Sequence, residues 1–314
     1  MAITAAMVKE LRELSGAGMS ACKNALVESD GDVGRAVEIL REKGLAAAAK
    51  KAGRIAAEGL VMVALSDDRT KGAIVEVNSE TDFVAKNDDF VGFVKNVAAQ
   101  ALASNANTVE EMLTEKWTAD SSVTVQDVLT QKIATIGENI GIRRFEQYKA
   151  AENNAVIDYI HGGGRVAVML EMAFDGCNDS CDKPSDMPPC MEAGRNICMQ
   201  IAAMSPQFLD RTSVPAEYLD KEREILTQQT MAEGKPANIA EKMVEGRLNK
   251  MLKEICLVDQ EYVKDGELTV GQYLKSVCKG GGLKVVRYVR YEKGEGIEKK
   301  EENFAEEVSK AMQG

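Results

Sequence analysis

Apolar residues recur at helical spacing through the first 44 positions and predict three short helices. Their apolar faces are formed, in chain order, by Val8, Leu11 and Leu14; by Met19, Cys22, Ala25 and Leu26; and by Val33, Ala36, Val37 and Leu40. Thr4 and Asp32 are residue types that cap helices, and Gly44 marks the predicted end of the third helix. A unit this small favours a binding module, followed by a basic helical linker at 46–54.

The period changes from Gly59 onward, where shorter apolar runs begin. The pattern predicts strands at 60–65, 73–77 and 141–148, a helix at 90–101, a polar excursion at 104–122 and a second helix from Val125. A polar loop, Asn78–Asn87, joins the second strand to the first helix and carries Phe83 in its middle. The sequence leaves two interpretations of this ring open: it covers the adjoining helix, or it is offered to a partner.

The same order of elements recurs in the second half of the chain. Strands at 155–161 and 165–173 flank a glycine turn at 162–164, and helices at 193–204 and 270–277 and a strand at 284–291 follow. The predicted fold class is therefore α+β, with a duplicated unit in which helices cover one face of a three-stranded antiparallel sheet. Because a lone three-stranded sheet is barely stable, the two copies are expected to pack together.

Two further helical segments are predicted. Residues 206–262 form a helical hairpin, an arm that either projects or pairs with a second copy of the chain as a homodimer. A terminal amphipathic helix carries Phe304. The predicted division is a three-helix bundle with its linker at 1–56, core subdomains at 57–150 and 151–293, the second including the arm, and a C-terminal helix at 294–314.

Charge and cysteine content narrow the functional classes. The net charge of −11 argues against free nucleic acid or an anionic membrane as a direct partner. No apolar run approaches the roughly 20 residues of a spanning helix. The N-terminus lacks the charged start and apolar stretch of a secretion signal, so we expect a cytoplasmic location. Seven cysteines, an odd number, fit reduced thiols better than a disulfide framework.

Candidate chemistry is sparse. His161 is the single histidine, so histidine-rich zinc sites are excluded, and no nucleotide-binding motif is present to predict a cofactor. One cluster combines thiols in a way that would suit zinc: Cys177, Cys181, Cys190 and Cys198. Its spacing contains no C-x2-C pair, so we favour a plain acidic loop insertion and keep zinc, or a thiol enzyme using His161, as alternatives.

Several segments, in order along the chain, resemble the elongation factor Ts family. They are Lys9–Met19, Thr81–Asn87 after Glu76–Asn78, the Tyr-x-His-Gly-x-x-Arg pattern at Tyr159–Arg165, Gly246–Arg247, and Gly294–Lys299. The likeness runs from residue 3 to about 310 and is interrupted at 176–198. The three N-terminal helices also resemble a ubiquitin-associated bundle.

This resemblance implies guanine-nucleotide exchange on elongation factor Tu, in its GDP-bound and nucleotide-free states, without covalent chemistry or a cofactor. Asp82 and Phe83 would form the central pair, with Phe83 wedged between helices of the GTPase near its magnesium and phosphate site. Thr81 and Val84 would shape the loop. Further partner contacts would be Arg12, Met19, His161 and Phe304. The alternative is a ubiquitin-associated-like adaptor, acting through residues 1–44, that has no exchange activity.

Overall fold

The computed structural model describes residues 3–174, 188–233, 237–277 and 282–298. Its first three helices are α1 (Ala5–Ser15), α2 (Met19–Glu28) and α3 (Val33–Lys51), and they pack around Leu11, Cys22 and Leu26. Thr4 and Asp32 accept capping hydrogen bonds from Met7 N and Arg35 N.

The predicted end of the third helix at Gly44 is wrong, because α3 continues to Lys51 through a run of alanines. Gly44 is buried instead, where the helix runs close to Thr130 and Ala134. A Cβ at Gly44 would lie 3.6 Å from Thr130 Cγ2 and 3.7 Å from Ala134 Cβ. The glycine is therefore part of a helix packing surface, which short-range sequence rules do not distinguish from a helix end.

The first α+β unit follows in chain order. Its elements are β1 (Glu58–Leu65), β2 (Lys71–Ser79), α4 (Asp82–Ala85), α5 (Asp88–Ala103), α6 (Val109–Thr114), β3 (Lys116–Trp117), β4 (Asp120–Thr124), α7 (Val125–Ile136) and β5 (Gly141–Lys149). The three long strands form an antiparallel sheet in the order β1-β2-β5. Helix α5 covers one face of this sheet, where Phe90, Val94 and Val97 are buried. The segment predicted as a polar excursion, 104–122, holds α6 and most of a small β3-β4 hairpin.

The second unit has the same arrangement. Its elements are β6 (Asn154–His161), β7 (Val166–Phe174), α8 (Pro188–Met204), α9 (Ala216–Ala232), α10 (Ala237–Ile255), β8 (Glu261–Tyr262), β9 (Asp265–Thr269), α11 (Val270–Val277) and β10 (Leu283–Glu292). The sheet order is β10-β7-β6, again antiparallel, and α8 covers it. Helices α9 and α10 pack against each other as an arm whose base holds Leu248, Leu252 and Cys256.

Two buried glutamines repeat the same hydrogen bonds in the two units. Gln100 of α5 donates to the carbonyl of Lys116 over 3.2 Å and accepts from Thr118 N over 2.7 Å. Gln200 of α8 donates to the carbonyl of Glu261 over 3.0 Å and accepts from Val263 N over 2.8 Å. Each amide thus holds the small hairpin of its unit against the covering helix.

The two sheets pack against each other through the faces that their helices leave open. Val61 and Ile74 of the first sheet contact Val156 and Met169 of the second in one buried cluster. The central strands are consequently buried on both faces, which explains why β2 and β7 are apolar runs rather than alternating patterns.

A matched pair of charged residues joins the sheets. The Arg144 guanidinium lies 4.0 Å from the ring centroid of Tyr291, and Arg287 lies 4.0 Å from that of Tyr148. Each arginine also pairs with a buried carboxylate on its own central strand, Arg144 with Glu76 at 2.6 Å and Arg287 with Glu171 at 2.8 Å.

The mixed α+β class predicted from the sequence is confirmed. Within the described ranges no helix is long and apolar enough to cross a membrane. The predicted C-terminal helix at 294–314 lies outside the described residues from position 299 onward.

Candidate functional site

The predicted polar loop between β2 and α5 contains one turn of helix, α4. Thr81 is its N-cap, and the Thr81 side chain accepts from Val84 N over 3.4 Å. Asn87 then caps α5 by accepting from Asp89 N over 2.8 Å. A four-residue helix is too short to show a helical period, so hydrophobic spacing could not predict it. The available signal was Thr81, a residue type that caps helices, together with Asn87, which caps the next helix.

The Phe83 side chain lies in solvent, with 82% of its surface exposed. Among the large apolar side chains in the described ranges it is the most exposed. Its neighbours on the turn behave differently: Ala85 is buried and Val84 packs on the core of the first unit. Of the two interpretations that the sequence left open, the structure excludes the one in which Phe83 covers the adjoining helix.

Asp82 is half-buried beside Phe83, with 47% of its side chain exposed, and carries a negative charge. Its Oδ2 accepts from Lys86 Nζ over 2.6 Å. This hydrogen bond is the main reason that the pKa of the Asp82 carboxyl lies below its ordinary value, and the charge of Lys293 contributes in the same direction. Lys293 itself pairs with Glu58 of β1. Acidic and basic groups therefore alternate around the base of the turn.

Glu138, which sequence reasoning missed, holds the start of α4. It follows Gly137, the left-handed C-cap of α7. Its Oε2 accepts from Glu80 N over 3.1 Å and from Thr81 N over 3.0 Å, and its Oε1 accepts from Thr81 Oγ1 over 2.6 Å. An acidic residue after a helix-ending glycine was visible in the sequence. Its partners are distant along the chain, so the sequence could not identify them.

Below the turn, Glu76 is a buried carboxylate that joins three segments. It accepts from Arg144 Nε over 2.6 Å, from Asn78 Nδ2 over 3.0 Å and from Gly294 N over 2.7 Å. Burial alone would raise the pKa of this carboxyl, but these hydrogen bonds hold it below its usual value. Strand β2, which leads into the Phe83 turn, is thus tied to β5 and to the chain that follows β10.

The other predicted contact residues lie at separate places on the surface. His161 is exposed at the end of β6, with Nδ1 2.9 Å from Tyr159 Oη. The glycine turn after His161 reaches the first unit, because Val61 N donates to Gly164 O over 2.8 Å. Arg12 and Met19 are exposed on α1 and α2, where Leu14 and Val27 are exposed as well.

The structure describes only part of the cysteine segment. Cys177 and Cys181 lie outside the described residues, and so does Phe304, the predicted contact residue near the C-terminus. Cys190 and Cys198 are buried in α8. Burial raises the pKa of the Cys198 thiol well above its ordinary value, which makes that residue a poor nucleophile. In the described part of the chain, no cluster of three His, Cys, Asp or Glu side chains is arranged to hold a metal. A zinc site involving Cys177, Cys181 and Cys190 stays an untested alternative.

The comparisons with known proteins agree with one another. A family model described as Elongation factor TS matches residues 80–295. The Elongation factor Ts of Clostridium perfringens (strain SM101 / Type A) is 54% identical over 310 residues, which cover 98% of each chain. That of Clostridium novyi (strain NT) is 53% identical over 312 residues, and that of Clostridioides difficile (strain 630) is 51% identical over 312, with 99% of each chain covered in both cases.

Proposed function

The chain belongs to the elongation factor Ts family, and on this premise we propose that it binds elongation factor Tu carrying GDP and promotes GDP release. Membership of the family makes it a translation elongation factor. The observation that carries the finer proposal is the exposed ring of Phe83 on a turn that Val84 and Ala85 anchor to the core. A phenyl ring that is 82% exposed buries little apolar surface in its own chain, and it can bury that surface by entering an apolar crevice in a partner.

The proposed mechanism works by displacement. A GTPase holds GDP largely through magnesium and backbone donors around the phosphates. Phe83 would enter between helices of elongation factor Tu and push those elements apart, with Thr81 and Val84 fixing the direction of the ring. Asp82 would bring a carboxylate next to the metal, whose octahedral geometry tolerates little displacement. Since the chain would bind the nucleotide-free GTPase more tightly than the GDP form, it must weaken GDP binding by the same factor.

No covalent step is assigned to this chain. Arg12, Met19, His161 and Phe304 are proposed as additional contacts to the same partner, and three of them lie at exposed positions, namely Arg12, Met19 and His161. A cytoplasmic location without direct binding to nucleic acid or membrane accompanies the proposal. Homodimerisation through the α9-α10 arm stays a prediction, which sedimentation of the purified chain would test.

The test is release of labelled GDP from elongation factor Tu with and without this chain. The parent is expected to accelerate release. The acceleration by Phe83→Ala should be at least about tenfold smaller than that by the parent, since most interface energy resides in a few aromatic anchors. Val263→Ala removes an exposed apolar side chain elsewhere and should leave the rate unchanged. A Phe83→Ala variant that exchanges as fast as the parent would refute the wedge. A parent that leaves the release rate unaltered would refute the exchange function itself.

The adaptor alternative has one observation in its favour. The N-terminal bundle exposes Leu14 at 64% and Val27 at 58%, which is apolar surface that another protein could cover. An adaptor would bind its partner through the bundle alone and would leave GDP release unchanged. The same release assay therefore separates the two functions.

A further inference from the structure

Two carboxylates clasp the segment before α4 to the segment after α7. Glu138 accepts from Glu80 N, Thr81 N and Thr81 Oγ1. In the opposite direction, Glu80 Oε1 accepts from Asn139 N over 2.5 Å. Asn139 Nδ2 in turn donates to Arg54 O over 2.7 Å, which connects the clasp to the chain after α3. We name Glu80, Thr81, Glu138 and Asn139 the clasp.

We propose that Glu138 is a positioning residue that sets the direction in which Phe83 points, a role that rests on the proposed exchange function. Glu138 would not touch the partner's nucleotide. It would act through α4, by fixing the N-terminal end of the turn that carries Phe83 and Asp82.

The first N–H groups of any helix lack partners inside the helix and need acceptors from elsewhere. In α4 the Thr81 side chain accepts a hydrogen bond from Val84 N. The Glu138 carboxylate accepts from Glu80 N and Thr81 N, just before the turn. Hydrogen bonds to an ionised acceptor are roughly twice as strong as neutral ones. The Glu138 carboxylate is therefore a major anchor of this end of α4.

Helix α4 cannot hold its own shape. A single helical turn is unfavourable in isolation, because several dihedral angles are fixed for very few hydrogen bonds. Phe83 does not contribute an anchor, since its ring is 82% exposed. Val84 and Ala85 hold the turn on the core. At the opposite end the clasp adds its hydrogen bonds to the one that Ser79 Oγ donates to Thr81 O over 3.1 Å, and so helps to orient the ring.

Disorder in the Phe83 turn would slow the proposed exchange. A side chain that must enter a crevice loses affinity when its segment has to be ordered during binding. A misplacement of about 1 Å in a working group can lower a rate by about a hundredfold. A turn released at its N-terminal end would still carry Phe83, but it would present the ring in many directions.

The decisive experiment is a double-mutant cycle in the GDP release assay. We expect Glu138→Ala to slow stimulated release roughly tenfold, in line with the loss of hydrogen bonds to a charged acceptor. If Glu138 acts only through Phe83, then Glu138→Ala combined with Phe83→Ala should release GDP at the rate of Phe83→Ala alone. Independent sites give additive effects, whereas a residue that acts through another does not.

Two further variants show whether the slower GDP release comes from a general loss of structure. Glu138→Gln keeps an acceptor for the two backbone amides and a group that can pair with Thr81 Oγ1, so release should stay within about threefold of the parent. Glu111→Ala is the matched control, because Glu111 Oε2 also accepts from a backbone amide, Asn107 N, over 2.8 Å in the same unit. We expect this control to release GDP at the parental rate. Amide hydrogen exchange of Glu138→Ala should quicken at Glu80 and Thr81 and stay unchanged in α9.

The outcomes separate the two proposals. If the parent does not accelerate GDP release, the exchange function fails and the positioning role fails with it. If the parent accelerates release and Glu138→Ala matches it, only the positioning role fails. A double variant that is slower than Phe83→Ala by the full factor seen for Glu138→Ala would also overturn the role, because that result describes an independent effect.

Discussion

At the scale of single residues, Phe83 and Phe93 show how one side chain takes opposite roles. Phe93 is 3% exposed in α5 and its ring stacks with Trp117, at a centroid distance of 6.2 Å. Phe83 belongs to the preceding turn and is 82% exposed. Helical spacing predicts the burial of Phe93, because it lies on the same face as Phe90 and Val97. The turn of Phe83 has no period, so its exposure depends on how α4 is tied down.

Asp82 gives a prediction about pH. Because hydrogen bonding to Lys86 depresses its pKa, Asp82 is ionised at every pH above the ordinary aspartate value of about 3.9. The ratio of GDP release rates between the parent and Asp82→Asn should therefore be constant from about pH 6 to pH 8, with the parent faster. Taking the ratio removes the pH dependence of the partner itself. A ratio that approaches one toward pH 6 would contradict the assignment of a fixed negative charge at this position.

At the scale of elements, two glycines that look alike in the sequence differ in what surrounds them. Gly294 has a φ of +69°, and a Cβ there would lie 2.1 Å from the carbonyl oxygen of Ala57. Gly246 lies within α10, and a Cβ there would have nothing within 4 Å. The first glycine allows the chain after β10 to pass close to the residue before β1. The second weakens a helix without a packing reason in the described residues.

The substitutions Gly294→Ala and Gly246→Ala should accordingly shift stability in opposite directions. Gly294→Ala is expected to destabilise by more than about 1 kcal/mol, since alanine is incompatible with that backbone conformation. Gly246→Ala is expected to stabilise by up to about 1 kcal/mol through helix propensity. Urea unfolding monitored by circular dichroism would measure both. Equal destabilisation by the two changes would show that the surroundings of the two glycines do not decide the outcome.

In the whole molecule, the two α+β units are joined by a reciprocal pair of arginine–tyrosine contacts. Arg144 of the first unit lies over Tyr291 of the second, and Arg287 of the second lies over Tyr148 of the first. The carboxylates behind them, Glu76 and Glu171, are both almost fully buried. Burial would raise the pKa of each, but their hydrogen bonds keep both pKa values lowered, so the carboxylates stay charged in the folded protein.

Removing one arginine of this arrangement should therefore be costly. Arg144→Ala leaves the buried Glu76 with Arg143 as its remaining guanidinium partner, and we expect a loss of about 3 kcal/mol in the free energy of unfolding. Arg165→Ala is the control, since Arg165 is exposed and lies 3.6 Å from Glu292. An exposed pair of that kind contributes about 0–1 kcal/mol. A similar loss for both variants would mean that burial of Glu76 is not the cause.

Much of the fold follows from the sequence, because periodicity and turn chemistry are local. The apolar runs at 60–65 and 73–77 and the helical spacing at 90–101 all correspond to observed elements, and Thr4 and Asp32 cap the helices as expected. Where a local rule has two outcomes, it failed or left the choice open. A glycine in a helical pattern can either end the helix or lie inside it at a packing surface. At Gly44 the second outcome holds, because α7 packs against α3 there.

The amino-acid sequence alone predicts the α+β class, the repeated order of elements and the segments that resemble the elongation factor Ts motifs. The exposure of Phe83 and the hydrogen bonds from Glu138 to its turn are visible only in the folded chain, because those bonds join residues 57 and 58 positions apart. The reason is physical. Hydrophobic period and capping act within a few residues, whereas the hydrogen bonds that orient a short turn come from segments that folding brings together.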